Sequence, residues 1–381
     1  MRVMRQMNFP TGYKEILDRV NAVDPVSYAK TRNFTNGAVT GLSPYISRGV
    51  ISTKQVMSAV LEKGYTPEQA GKLIQELAWR DYFQRVWQYL GDDMFEDIRL
   101  RYTGIRHSAM PAAVQEANTG IEAVDQAIRQ LYESGYMHNH LRMYTAAITC
   151  NTGKAHWPLP SQWMYYHLLD GDLASNTCSW QWVAGTFSSK QYYCNQDNIN
   201  HYTGTVQRRT FLDKSYEELS SMPVPEVLAA VSPVSLTTPL PEKEEITLDT
   251  SLPLLLYNGY NLDPAWRAGL KANRVLLLEP SHFRQYPVSK KVIDFILSLA
   301  GNIESIRVFT GEVHELRGLT EFPVILSKEH PAFTHYPGKK DERDWLFPEV
   351  NGFFNSFFAF WRKAEAFLPK KTTITPERIR A

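Results

Sequence analysis

The sequence predicts a mostly α-helical domain followed by a smaller α/β, Rossmann-like domain. Three observations lead to this prediction. Apolar residues recur at helical spacing over residues 12–215. Short apolar runs alternate with helical patterns over residues 248–367, which is typical of an α/β unit. Between them, residues 222–247 contain five prolines, so we expect a proline-rich linker there.

The helical periodicity of the first domain is clearest in four segments, at residues 53–63, 66–91, 120–134 and 139–151. Residues 66–68 (Thr-Pro-Glu) are typical of a helix start. Thr66 is the expected N-cap, and Pro67 suits the first helical position because a proline has no N–H to leave unpaired there. Strand-like alternation is scarce in this half of the chain, so we expect it to be almost entirely helical.

The second domain shows short apolar runs at residues 253–257, 274–278, 305–310 and 323–326. Each run has the length of a buried strand, and a helical pattern at residues 288–300 separates the second run from the third. Strands that alternate with helices predict a mostly parallel sheet.

Composition excludes several classes of protein. The 381 residues include 41 Lys+Arg and 40 Asp+Glu, a net charge of +1, so overall charge does not indicate a nucleic-acid binder. Cys150, Cys178 and Cys194 are odd in number and have no C-x-x-C spacing, so we expect neither disulfides nor a bound metal. No signal peptide and no membrane-spanning run of about 18 apolar residues is evident, so the expected location is the cytoplasm, without a membrane partner.

Polar and charged residues stand among apolar and aromatic ones in residues 136–182. They include Asn139, Arg142, Asp170, Asp172 and Asn176. A buried charge is costly unless it is paired or bound to a ligand, and Arg142 is a natural partner for Asp170 or Asp172. Taken alone, the pattern has two interpretations: an ion pair that joins two helices, or a ligand site.

Two segments of this stretch resemble the helical FAD-binding domain of the DNA photolyase/cryptochrome family. Residues 136–143 (YMHNHLRM) resemble W-[MI]-H-N-x-L-R-M, and residues 170–182 (DGDLASNTCSWQW) resemble D-G-D-x-A-x-N-x-x-x-W-Q-W. Upstream, residues 40–52 (TGLSPYISRGVIS) resemble the family's phosphate-binding turn, and residues 76–83 (ELAWRDYF) its E-L-x-W-R-[ED]-F-Y helix. The motifs occur in the family's order, and chance is a poor explanation for them.

The resemblance implies an FAD cofactor bound in a U shape among the helices. Residues 40–43 would hold the pyrophosphate, because a helix start offers unpaired N–H groups to an anion; in isolation these residues would look the same as an ordinary N-cap. Asp170 and Asp172 would bond the ribose and the flavin edge, with Arg142 and Asn176 near flavin N5. The implied cofactor-binding residues are Tyr28, Thr40, Gly41, Leu42, Ser43, Arg80, Asn139, Arg142, Asp170, Gly171, Asp172 and Asn176.

The resemblance also implies a pocket for a flipped-out pyrimidine dimer in UV-damaged DNA. Trp79 and Trp182 would stack on the bases; the alternative for Trp79 is helix–helix packing. Met143 stands where (6-4) photolyases carry a second His, so a cyclobutane dimer is the expected lesion. The implied catalytic residues are Glu76, Trp79, Asn139, Met143 and Trp182, and the implied DNA contacts are Arg32, Trp79, Asn139 and His140.

The family reduces its flavin through a tryptophan relay, and the resemblance assigns only part of it. Trp180 matches the member nearest the flavin and Trp157 the middle member. The region expected to hold the surface member, residues 101–107, has no Trp. Tyr102 lies there, and Trp163 or Trp87 could substitute.

Three departures from the family pattern bear on function. Tyr136 replaces the usual Trp, His140 replaces an Arg, and Gly41 stands where some members have Arg. Family members normally have an α/β antenna domain before the helical domain, whereas here an α/β segment follows it. The order suggests a permuted antenna-like domain or an unrelated Rossmann-like domain, and no antenna chromophore can be assigned.

The sequence therefore leaves three functional hypotheses. The first is a light-dependent, deoxyribodipyrimidine photolyase-like carbon–carbon lyase that uses reduced FAD. The second is a cryptochrome-like flavin photoreceptor without repair activity, which would signal to a protein partner. The third is a helical scaffold that has lost FAD, which would leave Arg142, Asp170, Asp172 and Asn176 without their ligand.

Overall fold

The computed structural model describes residues 7–102 and 104–369 of the chain. Helices dominate the part before residue 222. In chain order they are α1 (Tyr13–Asn21), α2 (Pro25–Thr31), α3 (Ser43–Ser47), α4 (Thr53–Glu62), α5 (Pro67–Leu90), α6 (Ala112–Gln115), α7 (Glu122–Ser134), α8 (Asn139–Ala146), α9 (Pro158–His167), α10 (Leu173–Ala184), α11 (Gln196–Thr203) and α12 (Tyr216–Ser221).

Local sequence explains where the main helices begin and end. The Thr66 side chain accepts the backbone N–H of Gln69, and Pro67 opens α5, as predicted. Helix α7 stops at Gly135, whose φ of 71° suits a residue without a Cβ. Helix α8 continues as a π-helical segment, Ala147–Thr152, so the predicted helix at residues 139–151 is present in two geometries.

The proline-rich segment at residues 222–247 is held against the helices at several points. Leu228 is fully buried. Strand β2 (Val231–Ser232) pairs antiparallel with β1 (Met110–Pro111). Further along, the Tyr166 hydroxyl donates to the carbonyl oxygen of Thr237. This segment therefore follows a defined path across the helical surface.

The second part of the chain is built on a five-stranded parallel sheet. Its strands are β3 (Leu254–Tyr257), β4 (Asn273–Leu278), β5 (Ile306–Thr310), β6 (Ile325–Lys328) and β7 (Lys339–Asp341), in the spatial order β5-β4-β3-β6-β7. Helices α13 (Pro280–Gln285) and α14 (Lys290–Ala300) connect β4 to β5, and α15 (Phe357–Ala364) follows β7. The four predicted strands and the predicted parallel pairing are confirmed, whereas the short, charged β7 has no apolar run to reveal it.

The sheet and the helices share one continuous apolar core. Arg48, almost fully buried, donates from Nε to the carbonyl oxygen of Leu169 and places its guanidinium 5.6 Å from the Tyr260 ring centroid. Gly49 lies against the Tyr260 carbonyl, where a Cβ would come within 2.2 Å of the oxygen. This close approach requires glycine.

The start of α1 also bonds to the segment that follows α14. The backbone N–H of Tyr13 donates to Oδ1 of Asn302, and Nδ2 of Asn302 donates to the carbonyl oxygen of Thr11, at 2.9 and 2.7 Å. Within residues 7–102 and 104–369, no helix has both the length and the apolar character that crossing a membrane requires. The same part of the chain contains no group of three or more His, Cys, Asp or Glu side chains placed to bind a metal ion.

Candidate functional site

A cavity of about 590 Å³ opens among helices α2, α3, α5, α8 and α10. Its walls include most residues that the sequence assigned to the cofactor or to the substrate: Tyr28, Arg32, Thr40, Gly41, Ser43, Glu76, Trp79, Arg80, Asn139, His140, Arg142, Met143, Asp170, Asp172, Asn176, Trp180 and Trp182. We call it the flavin cavity. Leu42, Gly171 and Trp157 are assigned residues that do not line it.

Those three residues have other surroundings. Leu42 is buried in the apolar core beside the cavity. Gly171 lies in the turn between α9 and α10, where a Cβ would come within 3.1 Å of the Leu168 carbonyl oxygen. The Trp157 indole donates from Nε1 to Asp97 at 2.8 Å. Leu42 and Gly171 shape the backbone around the cavity.

One wall of the cavity is an ion pair between α8 and the segment before α10. Arg142 donates from one guanidinium nitrogen to both carboxylate oxygens of Asp170, at 3.0 and 2.8 Å, and from Nε to the carbonyl oxygen of Met137. The predicted pairing of Arg142 with Asp170 is confirmed. Because the Asp170 side chain is only 4% exposed, the pair compensates a charge that would otherwise be costly to bury.

Asp172 caps helix α10 and binds the longest helix of the domain. Its Oδ1 accepts the backbone N–H of Ser175 at 2.8 Å. Its Oδ2 accepts from Arg80 at 3.0 Å and from the amide of Gln84 at 2.7 Å. Burial raises the pKa of this carboxyl, but the Arg80 guanidinium and the N–H donors outweigh burial, so the pKa lies below its ordinary value.

Two nitrogen donors of the cavity lining make no hydrogen bond within the described residues. They are Nε of Arg80 and Nε2 of His138, both buried atoms, and the buried hydroxyl of Ser175 makes none either. Burial lowers the pKa of His138 to about 4, so the ring is neutral near pH 7. Its Nδ1 accepts the N–H of His140 at 3.2 Å, which leaves the ring proton on Nε2. Buried donors are normally satisfied, so these two atoms fit a polar ligand in the cavity.

The predicted phosphate-binding turn lies at the start of α3. Gly41 has a φ of 65°, and its carbonyl oxygen accepts from Arg19 at 3.3 Å. The Thr40 hydroxyl accepts the N–H of Leu42 at 3.3 Å. The N-cap of α3 makes no side-chain capping bond. Pro44 has no N–H and Tyr45 donates to the carbonyl oxygen of Leu42, so in this turn, within the residues that the structure describes, the Ser43 N–H is the one open to a ligand.

Asn176 projects from α10 into the cavity with a fixed amide. Its Nδ2 donates to the carbonyl oxygen of Ser161 at 2.9 Å. Because that bond uses the nitrogen end of the amide, Oδ1 remains the end that can accept a hydrogen bond from a ligand.

The proposed substrate side of the cavity combines charged and aromatic side chains. Glu76 is held by Arg32 at 3.2 Å and by Lys72 at 3.1 Å. Trp182 is 37% exposed, with its ring centroid 5.7 Å from that of Tyr192. These side chains could meet a base that enters from solvent.

Trp79 differs from the sequence-based expectation of an open stacking wall. Its ring lies 3.7 Å from that of Phe357, centroid to centroid, with the planes 10° apart. Phe357 belongs to α15, so the C-terminal segment covers one face of Trp79. The helix-packing alternative for this residue is therefore present, although Trp79 also lines the cavity.

The expected electron relay is only partly assembled around the cavity. Trp180 is buried and lines it. Trp163 donates from Nε1 to the Tyr132 hydroxyl, and Trp87 meets His330 edge-on; a relay role for either indole stays a prediction. Tyr102 donates to the carbonyl oxygen of Cys150.

Sequence reasoning missed two residues of this site. His138 stands inside the 136–143 motif, between Met137 and Asn139, so the motif itself could have identified it as a residue of the site. Gln84 lies one helical turn after Arg80 on α5, and i, i+4 spacing puts both side chains on the same face. That spacing could have identified Gln84 as a second donor to Asp172.

Residues 73–247 match the family model described as the FAD binding domain of DNA photolyase. Just under half of the chain is therefore similar to the FAD-binding domain of the DNA photolyase/cryptochrome family, as its motifs predicted. FAD is the cofactor of the matched domain, and the two unpartnered donors and the fixed amide of Asn176 are consistent with a polar ligand of that kind.

Similar proteins extend this comparison. The deoxyribodipyrimidine photo-lyase of Streptomyces griseus is 35% identical over 150 residues, which is 39% of this chain and 32% of that protein. The deoxyribodipyrimidine photo-lyase of Synechococcus sp. is 33% identical over 183 residues, or 45% of this chain and 37% of that protein. The chain thus spans about a third of the length of these relatives.

Among solved structures, the Synechocystis sp. PCC6803 cryptochrome has a TM-score of 0.46 at 24% identity, covering 52% of this chain and 44% of that one. An archaeal photolyase from Sulfolobus tokodaii, solved with two FAD molecules, has a TM-score of 0.44 at 24% identity, covering 51% and 44%.

Proposed function

We propose that this chain is an FAD-dependent, light-driven DNA repair enzyme that splits cyclobutane pyrimidine dimers as a carbon–carbon lyase. One observation chiefly supports the proposal: a single cavity joins the polar cofactor-facing residues to the residues expected to contact a dimer. When bound and reduced, FAD supplies an electron after absorbing blue or near-UV light. The chain's own residues then have to bind and orient the flavin and the dimer and to exclude water from the cavity.

On the cofactor side, the residues provide charge and hydrogen bonds at fixed positions. Arg142 carries a positive charge into the cavity wall while Asp170 holds its orientation. Asp172 is kept ionised and in place by Arg80 and Gln84. The carbonyl oxygen of Asn176 is free to accept a hydrogen bond, because the amide nitrogen is bound to Ser161. This arrangement suits a flavin that changes protonation as it is reduced.

On the substrate side, we propose that a flipped-out dimer enters past Trp182. Its exposed ring offers a stacking surface, which is worth about 1–3 kcal/mol per base in proteins that bind single strands. Glu76 presents a carboxylate whose position is set by Arg32, so it can accept a hydrogen bond from a thymine edge. Met143 adds an apolar surface on the same side.

Two observations favour a second candidate, a cryptochrome-like photoreceptor. Phe357 covers one face of Trp79, which leaves less aromatic surface for a base. Burial lowers the pKa of His140, whose Nδ1 lies 2.9 Å from the carbonyl oxygen of Asn33. A neutral His140 gives no positive charge to a phosphate, and phosphate contacts supply much of the affinity for DNA.

A repair assay separates the two candidates. The protein, loaded with FAD and reduced, is illuminated with an oligonucleotide that contains a cyclobutane dimer, and the absorbance of the restored thymines is followed. We expect repair by the wild type and much weaker repair by Trp182→Ala. Tyr89→Ala is the matched control, because Tyr89 is an exposed aromatic residue outside the cavity. No repair at saturating reduced holoprotein would refute the enzyme and favour the photoreceptor.

We also propose that residues 12–215 and 248–367 act as two units joined by residues 222–247, the second being a Rossmann-like, antenna-like unit in permuted order. A second cavity of about 670 Å³ lies beyond the carboxyl ends of β4, β5 and β6, and Glu279, Glu312 and Glu329 line it. Ligands in open parallel sheets bind at this edge. A flavin excitation spectrum with a band that FAD lacks would support an antenna chromophore, and a pure flavin spectrum would contradict it.

A further inference from the structure

A chain of polar side chains, buried at Asp172 and Gln84 and partly exposed at Arg343 and Glu329, links the flavin cavity to the segment that follows the parallel sheet. Asp172 Oδ2 accepts from Nε2 of Gln84 at 2.7 Å. Gln84 Oε1 accepts from the guanidinium of Arg343 at 2.5 Å. Arg343 in turn donates from Nε to Glu329 at 2.7 Å. The chain therefore runs from a cavity-lining carboxylate on one side to the loop between β7 and α15.

Gln84 can fix the position of Asp172 relative to Arg343, because the two ends of its amide differ: one donates and the other accepts. The side chain is 1% exposed, so it has no alternative solvent partner. Its nitrogen faces the Asp172 carboxylate, which can only accept, and its oxygen faces the Arg343 guanidinium, which can only donate. Without Arg343, Oε1 of Gln84 would be a buried acceptor that has lost its donor, and the amide would keep only one of the two bonds that fix its position.

Arg80 extends the effect into the cavity. Its guanidinium shares Asp172 Oδ2 with Gln84, and its Nε is a buried donor without a protein partner. A displaced Asp172 would move Arg80 with it, because the ion pair holds both. The orientation of Gln84 thus affects Arg80, a residue of the cavity wall.

We propose that Arg343 is a positioning residue of the FAD site: acting through Gln84, it holds Asp172 and Arg80 in their cofactor-binding geometry. The α/β segment is then part of the flavin site, although none of its residues up to 369 lines the flavin cavity. The proposal depends on FAD occupying that cavity and is independent of whether the light reaction is repair or signalling.

A purely structural role for Arg343 is the competing explanation, and the fold supplies a matched control. Trp345 lies between two guanidinium groups, that of Arg343 at 4.3 Å and that of Arg85 at 3.7 Å from its ring centroid. Arg85 makes the same type of cation–π contact and donates to Gln88, one turn further along α5, away from the Asp172 chain. Loss of either arginine removes a stacking cation, but only Arg343 orients Gln84.

The test measures FAD dissociation constants on the full-length protein by the change in flavin fluorescence, with thermal unfolding of the FAD-free form measured beside it. Arg343→Met is expected to weaken FAD binding about tenfold, the loss typical of a hydrogen bond to a charged group. Gln84→Met should do the same. The double variant should bind FAD no more weakly than either single variant, because both substitutions interrupt the same chain of hydrogen bonds. Arg85→Met should bind FAD within about twofold of the wild type.

Arg343→Lys provides the conservative rescue. A lysine ammonium can still donate to Gln84 but cannot also bond Glu329 with the planar fork of an arginine, so it should recover part of the affinity. Equal weakening by Arg343→Met and Arg85→Met, or additive losses in the double variant, would overturn the proposal. If Arg343→Met does not fold, Gln84→Met and Arg343→Lys decide it. A wild type that binds no FAD would instead refute the cofactor assignment.

Discussion

The contact between Phe357 and Trp79 gives a sharp prediction about how the C-terminal helix is held. Phe357 is 2% exposed, and its ring is stacked on Trp79 at 3.7 Å. Truncating a buried phenylalanine costs about 3–5 kcal/mol, of which an aromatic pair contributes about 0.5–1.5 kcal/mol. We therefore expect Phe357→Ala to lower the free energy of unfolding by about 3–5 kcal/mol. Phe357→Leu, which keeps most of the volume, should cost about 1–2 kcal/mol.

The neighbouring residue is the control. Phe358 is 63% exposed and meets Trp79 only edge-on at 6.5 Å. Phe358→Ala should change the free energy of unfolding by less than about 0.5 kcal/mol. Urea unfolding followed by tryptophan fluorescence and far-UV circular dichroism measures all three variants. Equal effects of Phe357→Ala and Phe358→Ala would show that the stacked pair does not hold α15.

Three further predictions concern the cavity itself. His138 has a folded pKa of about 4 against 6.5 unfolded, so its neutral form contributes up to about 3 kcal/mol of stability, which is present above pH 6.5 and is lost as the pH falls towards 4. His138→Gln should therefore flatten the stability–pH curve of the FAD-free protein between those two pH values. An unchanged slope would contradict this prediction. Gly41→Ala should lower the free energy of unfolding by about 1–2 kcal/mol and weaken FAD retention, because φ at this position is 65° and a Cβ would lie 2.6 Å from Met7. An unshifted melting temperature would show that the turn relaxes. Asn176→Asp loses the donor to Ser161, so urea unfolding should show a free energy of unfolding lower by about 1–3 kcal/mol. Asn176→Ser measures the loss of the same bond without a new charge. Equal free energies for the two variants would exclude a charge effect.

Much of the helical framework could be predicted from local sequence. The cap at Thr66, the bounds of α4 and α5 and the pairing of Arg142 with Asp170 depend on residues close in sequence or on charge complementarity between two motifs. The apolar runs of the sheet were visible for the same reason, because a strand buried on both faces leaves a continuous hydrophobic signal.

The features of the fold and the site that the sequence did not predict depend on contacts between residues far apart in the chain. Arg343 meets Gln84 across 259 positions, and nothing in the composition of residues 342–346 marks an arginine for that task. Phe357 covers Trp79 across a similar distance, so the exposure of Trp79 could not be inferred from its motif. Local patterns identify which residues face a cavity, whereas packing between distant segments decides what else they touch.

The contacts that join the first helices to residues 302 and 343 have a consequence for synthesis on the ribosome. Asn302 bonds the backbone at Thr11 and Tyr13, and Arg343 bonds Gln84 from still further along the chain. A nascent chain emerges from its N-terminus, so the first helices leave the exit tunnel long before the residues that complete their packing have been translated. The flavin cavity therefore reaches its final form only after residue 343 has left the exit tunnel, and cofactor loading should follow that point.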